Sequence, residues 1–262
     1  MMVPAFDLAG RVALVTGAGS ESGIGFASAR MLASLGAAIE VAATTDRAQE
    51  RAEELTAQGC RARGAVADLT DPDQAQRLVD EAIAHWGRLD IVVNNAGMTS
   101  VSAPGSPESG SALDLSPDDW RASIARNLDS AFFVARAAIP GMRDRGWGRV
   151  VNVASITGPE MAMRGEAAYA AAKAGMVGLT RSLAVDFAAD GITVNAVAPG
   201  WIATGSQTHH EREQGLRTPM RRSATPEEVG AAVAWLCTPG AAYTTGQCLV
   251  IDGGNSIAEE RA

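Results

Sequence analysis

The sequence predicts an α/β protein of the doubly wound type, in which a parallel sheet lies between two layers of helices. Three observations support this prediction. Short apolar runs alternate with segments of helical periodicity along the whole chain. A glycine-rich turn at residues 16–25 follows the first apolar run and opens the first helical segment. No internal repeat or linker divides the 262 residues, so we expect one domain over residues 1–262.

The expected elements follow in order along the chain. Strand-like apolar runs occupy 11–17, 37–43, 61–69, 89–97, 148–155, 192–200 and 247–254. Helical periodicity covers 23–36, 47–59, 70–87, about 117–142, 166–191 and a segment that begins near 225. In the third helix, Thr70 is the expected N-cap, Pro72 lies in the first turn, and Gly87 ends the helix.

Two further segments, 99–115 and 201–224, are predicted to be irregular. Both follow strands, so we expect them to overhang the functional site, with 201–224 as a substrate lid. His209 and His210 lie in this lid beside acidic residues and resemble a metal cluster superficially. A solvent-exposed lid explains them better, and we expect no metal site.

Composition excludes several classes of protein. Hydrophobic residues make up 47% of the chain and charged residues 20%, which describes a globular protein with a large core. A formal net charge of −8 argues against binding to nucleic acid or to an anionic membrane. No apolar run reaches the length of about 18 residues that suits a membrane span, and the amino terminus lacks a secretory signal. Cys60, Cys237 and Cys248 are widely spaced and odd in number, which favours free thiols and a cytoplasmic protein.

The glycine-rich turn predicts a dinucleotide site. Such a turn presents backbone N–H groups and a helix N-terminus to a pyrophosphate. Its spacing is unusual, because five residues separate Gly17 from Gly23. Two registers remain open, one that starts the turn at Gly17 and one that starts it at Gly19. In both, Gly23 and Gly25 open the helix.

Tyr169 and Lys173 form a candidate catalytic pair. Their i, i+4 spacing places both side chains on one face of a helix. Lys173 is the single lysine in a chain whose other 21 basic residues are arginines. An ammonium group near a phenol favours the phenolate, so we expect Lys173 to lower the pKa of Tyr169 and make it a usable acid or base.

These residues resemble the classical short-chain dehydrogenase/reductase family over nearly the whole chain. The third quarter and the closing IDGG are most similar to the 3-oxoacyl-[acyl-carrier-protein] reductase-like branch. The resemblance implies a single-domain Rossmann-type fold. The matching motifs are TGAGSESGIG at 16–25, Asp68, NNAG at 94–97, Asn127, Ser155, Tyr169 with Lys173, PGWIAT at 199–204 and TGQCLVIDGG at 245–254.

The resemblance also implies roles. Tyr169 exchanges a proton with the carbonyl or alcohol oxygen, and Ser155 hydrogen-bonds that oxygen. Lys173 holds the nicotinamide ribose, and Asn127 holds a water in the proton path. Residues expected to contact the dinucleotide, besides Tyr169 and Lys173, are Gly17, Gly19, Ser22, Gly23, Ile24, Gly25, Thr44, Thr45, Arg47, Asp68, Leu69, Asn95, Ala96, Gly97, Pro199, Gly200, Ile202 and Thr204. Asp68 has the alternative role of capping the next helix.

The end of the second strand favours NADP(H), with NAD(H) as the alternative. NAD-preferring relatives place an acidic residue there, but this chain has Ala43. Thr44, Thr45 and Arg47 offer contacts to a 2′-phosphate. Against this, the glycine turn lacks the basic residue of many NADP-using relatives and carries Glu21.

The substrate is predicted only by class: a ketone or secondary alcohol in a pocket lined by 98–115, 156–166 and 201–220. A 3-oxoacyl thioester on acyl carrier protein is one candidate, and a sugar, steroid or other secondary alcohol oxidised with NAD is the alternative. A dinucleotide-binding regulatory protein without turnover is the alternative from another class. The resemblance also implies a homotetramer, packed through 117–142, 166–188 and the last strand.

Overall fold

The computed structural model describes residues 3–97 and 110–259, and these contain one seven-stranded parallel sheet of order β3-β2-β1-β4-β5-β6-β7. The predicted doubly wound α/β fold is therefore confirmed. The strands are β1 (Val12–Val15), β2 (Ala38–Ala43), β3 (Ala62–Val66), β4 (Ile91–Asn94), β5 (Gly148–Val153), β6 (Ile192–Pro199) and β7 (Cys248–Ile251).

Helices cover both faces of the sheet. They are α1 (Ile24–Ser34), α2 (Arg47–Ala57), α3 (Pro72–Trp86), α4 (Pro117–Ile124), α5 (Ser130–Asp144), α6 (Ala167–Phe187), α7 (His209–Leu216) and α8 (Pro226–Cys237). Side chains of β1 alternate between the two layers, as in any strand buried on both faces. Ala13 and Val15 pack in the cluster of α1, α2 and α8, whereas Val12 and Leu14 pack in that of α3, α5 and α6.

The helical stretch expected over 117–142 is continuous, but it contains a π-helical segment, Ala125–Asp129, which hydrophobic periodicity does not reveal. Two local predictions are wrong. The N-cap of α3 is Asp71, whose carboxylate accepts hydrogen bonds from the amides of Asp73 and Gln74, because Pro72 then occupies the first helical position. The lid, residues 201–224, is not irregular throughout, since Thr208 and Glu211 form a capping box that starts α7.

The chain changes direction across the sheet between β1 and β4. These strands are neighbours, although β2 and β3 lie on one side of them and β5, β6 and β7 on the other. Ligands of open α/β sheets bind outside the carboxyl ends of the strands at such a switch point. The turns at 16–25 and 94–97 both lie there, so the fold brings the two predicted motifs together.

The opposite end of the sheet is held by a buried carboxylate. Asp90, just before β4, is fully buried and accepts two hydrogen bonds of 2.7 Å from the Arg88 guanidinium. It also accepts a 3.0 Å bond from the Val12 amide, and nitrogens of Arg11 and Arg145 lie 3.5 and 3.8 Å away. This cluster joins β1 to β4 at their amino ends and lies away from the functional site.

Candidate active site

The glycine turn is built around Thr16. Its hydroxyl accepts hydrogen bonds from the amides of Asn95, at 3.1 Å, and Ala96, at 3.0 Å. Gly17 follows with φ +62°, and a Cβ on it would lie 2.8 Å from the Cα of Ala96. Only glycine fits both this backbone conformation and this approach. Both registers of the turn stay predictions, since Gly19 is closely packed as well, and residues 20–23 form a turn closed by a 3.1 Å hydrogen bond from the Gly23 amide to the Ser20 carbonyl.

The start of α1 fits a pyrophosphate. Helix α1 begins at Ile24, and its N-cap, Gly23, provides no side-chain cap for the first amides. A Cβ on Gly25 would lie 2.5 Å from Asn95 Nδ2 and 2.8 Å from the Gly17 carbonyl oxygen, so this turn of the helix packs directly on the glycine loop. Uncapped amides and the positive end of the helix dipole form the anion site that a dinucleotide needs.

The predicted contacts to the adenosine ribose also lie together. A Cβ on Gly19 would lie 2.9 Å from the Cβ of Ala43 and 3.3 Å from that of Arg47. Arg47 Nε donates a 3.1 Å hydrogen bond to the exposed hydroxyl of Thr45. The end of β2, the first residue of α2 and the glycine loop thus surround one solvent-facing position. Thr44 is exposed next to it.

Asp68 and Leu69 lie beside this position, after β3. The Ala67 amide bonds the Ala43 carbonyl at 3.0 Å, which fixes the segment against the end of β2. Asp68 is exposed, and its Oδ1 accepts hydrogen bonds from the amide and the hydroxyl of Thr70. Its alternative role as the cap of α3 is excluded, because Asp71 caps that helix.

The four predicted catalytic residues converge at the ends of β4 and β5. Lys173 is 3% exposed, and its Nζ donates a 2.9 Å hydrogen bond to the Val153 carbonyl. The same Nζ lies 5.6 Å from the centre of the Tyr169 ring. Ser155 follows β5, where its Oγ accepts a 3.0 Å hydrogen bond from the Thr157 amide.

Asn127 lies in the π-helical segment and belongs to this group. Its side chain is fully buried, and its Nδ2 donates a 3.1 Å hydrogen bond to the Ser123 carbonyl. A Cβ on Gly97 would lie 2.8 Å from Asn127 Oδ1 and 3.3 Å from Lys173 Nζ. The backbone at Gly97 therefore touches both residues, and glycine there leaves room between the dinucleotide turns and the catalytic lysine.

Burial has the largest effect on the pKa values of Tyr169 and Lys173. It raises the pKa of Tyr169 to about 12, against the lowering effect of a hydrogen bond with Ser155, while Glu166 and Glu211 raise this pKa further. Burial also lowers the pKa of Lys173 to about 8. Burial is the largest of the effects on Tyr169, and the Lys173 ammonium lies over its ring. The expectation that Lys173 lowers the pKa of Tyr169 stays a prediction.

Comparison with known proteins decides the family. A family model described as enoyl-(acyl carrier protein) reductase matches residues 17–256. The 3-oxoacyl-[acyl-carrier-protein] reductase of Vibrio cholerae is 36% identical over 252 residues, 95% of this chain and 98% of that protein. The chain belongs to the short-chain dehydrogenase/reductase family. It is an oxidoreductase that interconverts a ketone and a secondary alcohol with a nicotinamide dinucleotide.

Two further relatives of this short-chain dehydrogenase/reductase are informative. The cis-4-hydroxycyclohexanecarboxylate dehydrogenase of Sinomonas cyclohexanicum is 40% identical over 248 residues, 93% of this chain and 96% of that protein. A structure from Beutenbergia cavernae, assigned as an NAD(P)-dependent gluconate 5-dehydrogenase with bound NADP, superposes with a TM-score of 0.86 at 38% identity, over 95% of this chain and 98% of that one.

The segment predicted to be a lid, residues 201–224, follows β6. Pro199 ends the strand, Gly200 follows it, and Ile202 pairs with Ala224 at the far end of the segment. Thr204 Oγ1 lies 3.1 Å from Ser206 Oγ. A Cβ on the next residue, Gly205, would lie 2.5 Å from Ser22 Oγ, so the turn at residues 20–23 contacts the base of this segment. The expected dinucleotide contacts at 199–204 thus lie beside those of the loop.

A cleft of about 400 Å³ is lined in part by Ile156, the residue that follows Ser155. Its walls come from the residues after β5, from Trp201, from the His210 side of α7 and from Asn255. These are parts of the predicted segments 156–166 and 201–220, together with Asn255 near the carboxyl end, which the sequence did not indicate. Residues 98–109, also expected in the pocket, lie outside the described residues.

Within 3–97 and 110–259, no three His, Cys, Asp or Glu side chains are grouped to hold a metal ion. His209 lies 3.8 Å from Glu213 on the exposed side of α7. No helix in these ranges has the length and apolar composition of a membrane span.

Proposed function

We propose that Ser155, Tyr169 and Lys173 are the catalytic residues of this enzyme, with Asn127 in the proton path. The observation that carries the proposal is a chain of contacts at the switch point of the sheet: Asn127 and Lys173 meet at Gly97, Lys173 lies over the Tyr169 ring, and Tyr169 is hydrogen-bonded to Ser155. The dinucleotide, when bound, supplies or accepts the hydride. The protein then has three tasks: to bind the carbonyl oxygen, to supply its proton and to replace that proton.

The hydroxyls of Ser155 and Tyr169 are hydrogen-bonded to each other, so both can contact one substrate oxygen. In ketone reduction, Ser155 donates a hydrogen bond to the carbonyl oxygen, and Tyr169 gives its proton to the same atom as negative charge develops there. Lys173, fixed by the Val153 carbonyl, binds the nicotinamide ribose and stabilises the phenolate that remains. Asn127 holds the water through which Tyr169 regains its proton. Alcohol oxidation uses the same steps in reverse.

The same proposal assigns NADP(H) as the preferred dinucleotide. Ala43 carries no charge to repel a 2′-phosphate, and Arg47 lies beside Gly19 and Thr45, where the adenosine ribose would lie. A charge-assisted contact from Arg47 to the phosphate favours NADP(H).

Steady-state kinetics with both dinucleotides test this preference. We expect wild-type enzyme to have a higher kcat/KM for NADPH than for NADH, and Arg47→Gln to lower only the value for NADPH, by roughly tenfold. Arg77→Gln, which removes an exposed arginine on α3, is the matched control and should change neither value. A wild-type preference for NADH would contradict the assignment.

Two substrate classes are supported by relatives. The first is a compact cyclic secondary alcohol or its ketone, as the name of the Sinomonas relative indicates for that protein. The second is a 3-oxoacyl thioester on acyl carrier protein, as for the Vibrio relative. The net charge of −8 and a cleft of about 400 Å³ favour the compact substrate. A screen of cyclic ketones, secondary alcohols and 3-oxoacyl thioesters, followed at the nicotinamide absorbance, distinguishes the two.

We further propose a homotetramer of one-domain subunits, with 201–224 as the lid of each subunit. Exposed apolar side chains support it: Trp120, Phe132 and Val185 on α4, α5 and α6, and Tyr243, Leu249 and Ile257 around β7. Light scattering tests it, and a monomer would contradict it.

Cys60, Cys237 and Cys248 form no disulfide, which supports a reducing, cytoplasmic location.

A further inference from the structure

The substrate cleft has a mainly apolar lining. It starts at Ile156, next to the catalytic serine, and continues along the segment that leads to α6 and across to the lid. A substrate held there buries a hydrocarbon body and gains affinity from that burial. The apolar lining side chains are Ile156, Met161, Ala162, Met163 and Trp201.

The lining contains a permanently charged side chain, that of Arg164. Arg164 is the one arginine or lysine among the described residues that line the cleft. Some arginines form ion pairs, such as Arg88 with Asp90 and Arg222 with Glu228, whereas others in the described part of the chain, such as Arg77 and Arg212, form none. Arg164 has no ion pair or hydrogen bond within residues 3–97 and 110–259. Its guanidinium therefore remains available to a ligand.

The polar neighbours in the cleft are compatible with an anion. His210 and Gln214 on α7 also line it, and Asn255 is buried with its Nδ2 3.5 Å from Met161 Sδ. The acidic side chains of this region, Glu166 and Glu211, do not line the cleft. Glu211 caps α7 instead, with its carboxylate accepting a hydrogen bond from the Thr208 amide.

We propose that the cleft binds a substrate with an apolar body and a carboxylate, and that Arg164 is the residue that recognises the carboxylate. A guanidinium matches a carboxylate with two parallel hydrogen bonds. A phosphate would require more donors than this single arginine and the neutral side chains around it provide. The inference rests on the proposed function, because the cleft must be the substrate site that adjoins Ser155 and Tyr169.

Binding of two unreactive probes tests the proposal without turnover. Cyclohexanecarboxylate and cyclohexanecarboxamide have the same ring and differ in charge, and neither carries a ketone or a hydroxyl. Each is titrated calorimetrically into the enzyme saturated with the oxidised dinucleotide. We expect wild-type enzyme to bind the carboxylate at least about tenfold more tightly than the amide.

Variants assign the effect to Arg164. Arg164→Gln should abolish the preference and leave amide binding unchanged, whereas Arg164→Lys should retain part of it. Arg212→Gln, on the lid but outside the cleft lining, is the control and should bind both probes as wild type does. Equal binding of the two probes by wild type, binding of neither, or a preference retained in Arg164→Gln would overturn the proposal.

Turnover separates this proposal from the one on which it rests. Reduction of cyclohexanone and of 4-oxocyclohexanecarboxylate is measured for the same variants. Activity with both ketones at equal kcat/KM would support the proposed reaction and contradict the role of Arg164. Charge-selective binding without reduction of either ketone would support Arg164 and contradict the proposed class of compact ketone substrate.

Discussion

The side-chain amide of Asn95 donates hydrogen bonds to the main-chain carbonyls of both Thr16 and Gly17, each at 3.0 Å. One residue after β4 thus fixes the path of the chain after β1. Gly25 packs against the same amide group, so the first turn of α1 is positioned by it as well. The proposed dinucleotide site therefore depends on contacts between two motifs that are far apart in the sequence.

Gly25→Ala should disable dinucleotide binding. Its Cβ would meet the Asn95 amide and the Gly17 carbonyl at 2.5 and 2.8 Å, and the carbonyl is backbone that cannot rotate away. We expect dinucleotide affinity, measured by fluorescence titration, to fall at least about tenfold because the loop must shift. Gly178→Ala on α6, where an added Cβ meets nothing within 4 Å, is the control. Binding within twofold of wild type by Gly25→Ala would refute this account of the loop.

The pH dependence of ketone reduction should follow Lys173. Its pKa of about 8 means that it is charged below pH 8 and neutral above. With a pKa of about 12, Tyr169 keeps its proton throughout and remains the donor. The value of kcat/KM should therefore be level from about pH 6 to 7 and fall above about pH 8. Lys173→Met should be slower and lack this decrease. A wild-type profile that is flat to about pH 10 would contradict the assignment.

Asp90→Ala should destabilise the fold without touching the active site. The substitution removes the acceptor for Arg88 and for the Val12 amide at a fully buried position. Loss of one partner of a buried ion pair costs about 3–5 kcal/mol, and the partial exposure of the arginines favours the low end. Urea unfolding at fixed protein concentration measures the change. Asp118→Ala, in the exposed pair with Arg121, should change stability by less than about 1 kcal/mol.

The fold follows from local sequence patterns because each strand is a short apolar run and each crossover helix has a clear period. The parallel, doubly wound sheet agrees with the expectation, and the meeting of residues 16–25 with 94–97 follows from its strand order. These patterns do not predict local backbone geometry. The π-helical segment that carries Asn127 and the turn at residues 20–23 of the glycine loop depend on contacts made only in the folded chain.

The sequence predicted which residues form the catalytic pair, but not the shifts in their pKa values. An i, i+4 spacing places Tyr169 and Lys173 on one face, yet it does not report how deeply both are buried. Burial is what raises one pKa and lowers the other. Asn255 was missed as a cleft residue for a related reason. It lies on a separate loop, and no spacing in the sequence links it to Ser155.

Ketone reduction by Tyr169→Phe tests the central claim most directly. The variant loses the proton donor but keeps the ring, so we expect kcat to fall by roughly 100- to 10,000-fold while dinucleotide affinity stays within about twofold of wild type. The other tyrosine of the chain, Tyr243, is fully exposed, and Tyr243→Phe should retain wild-type kcat. A Tyr169→Phe enzyme with kcat within about tenfold of wild type would contradict the mechanism.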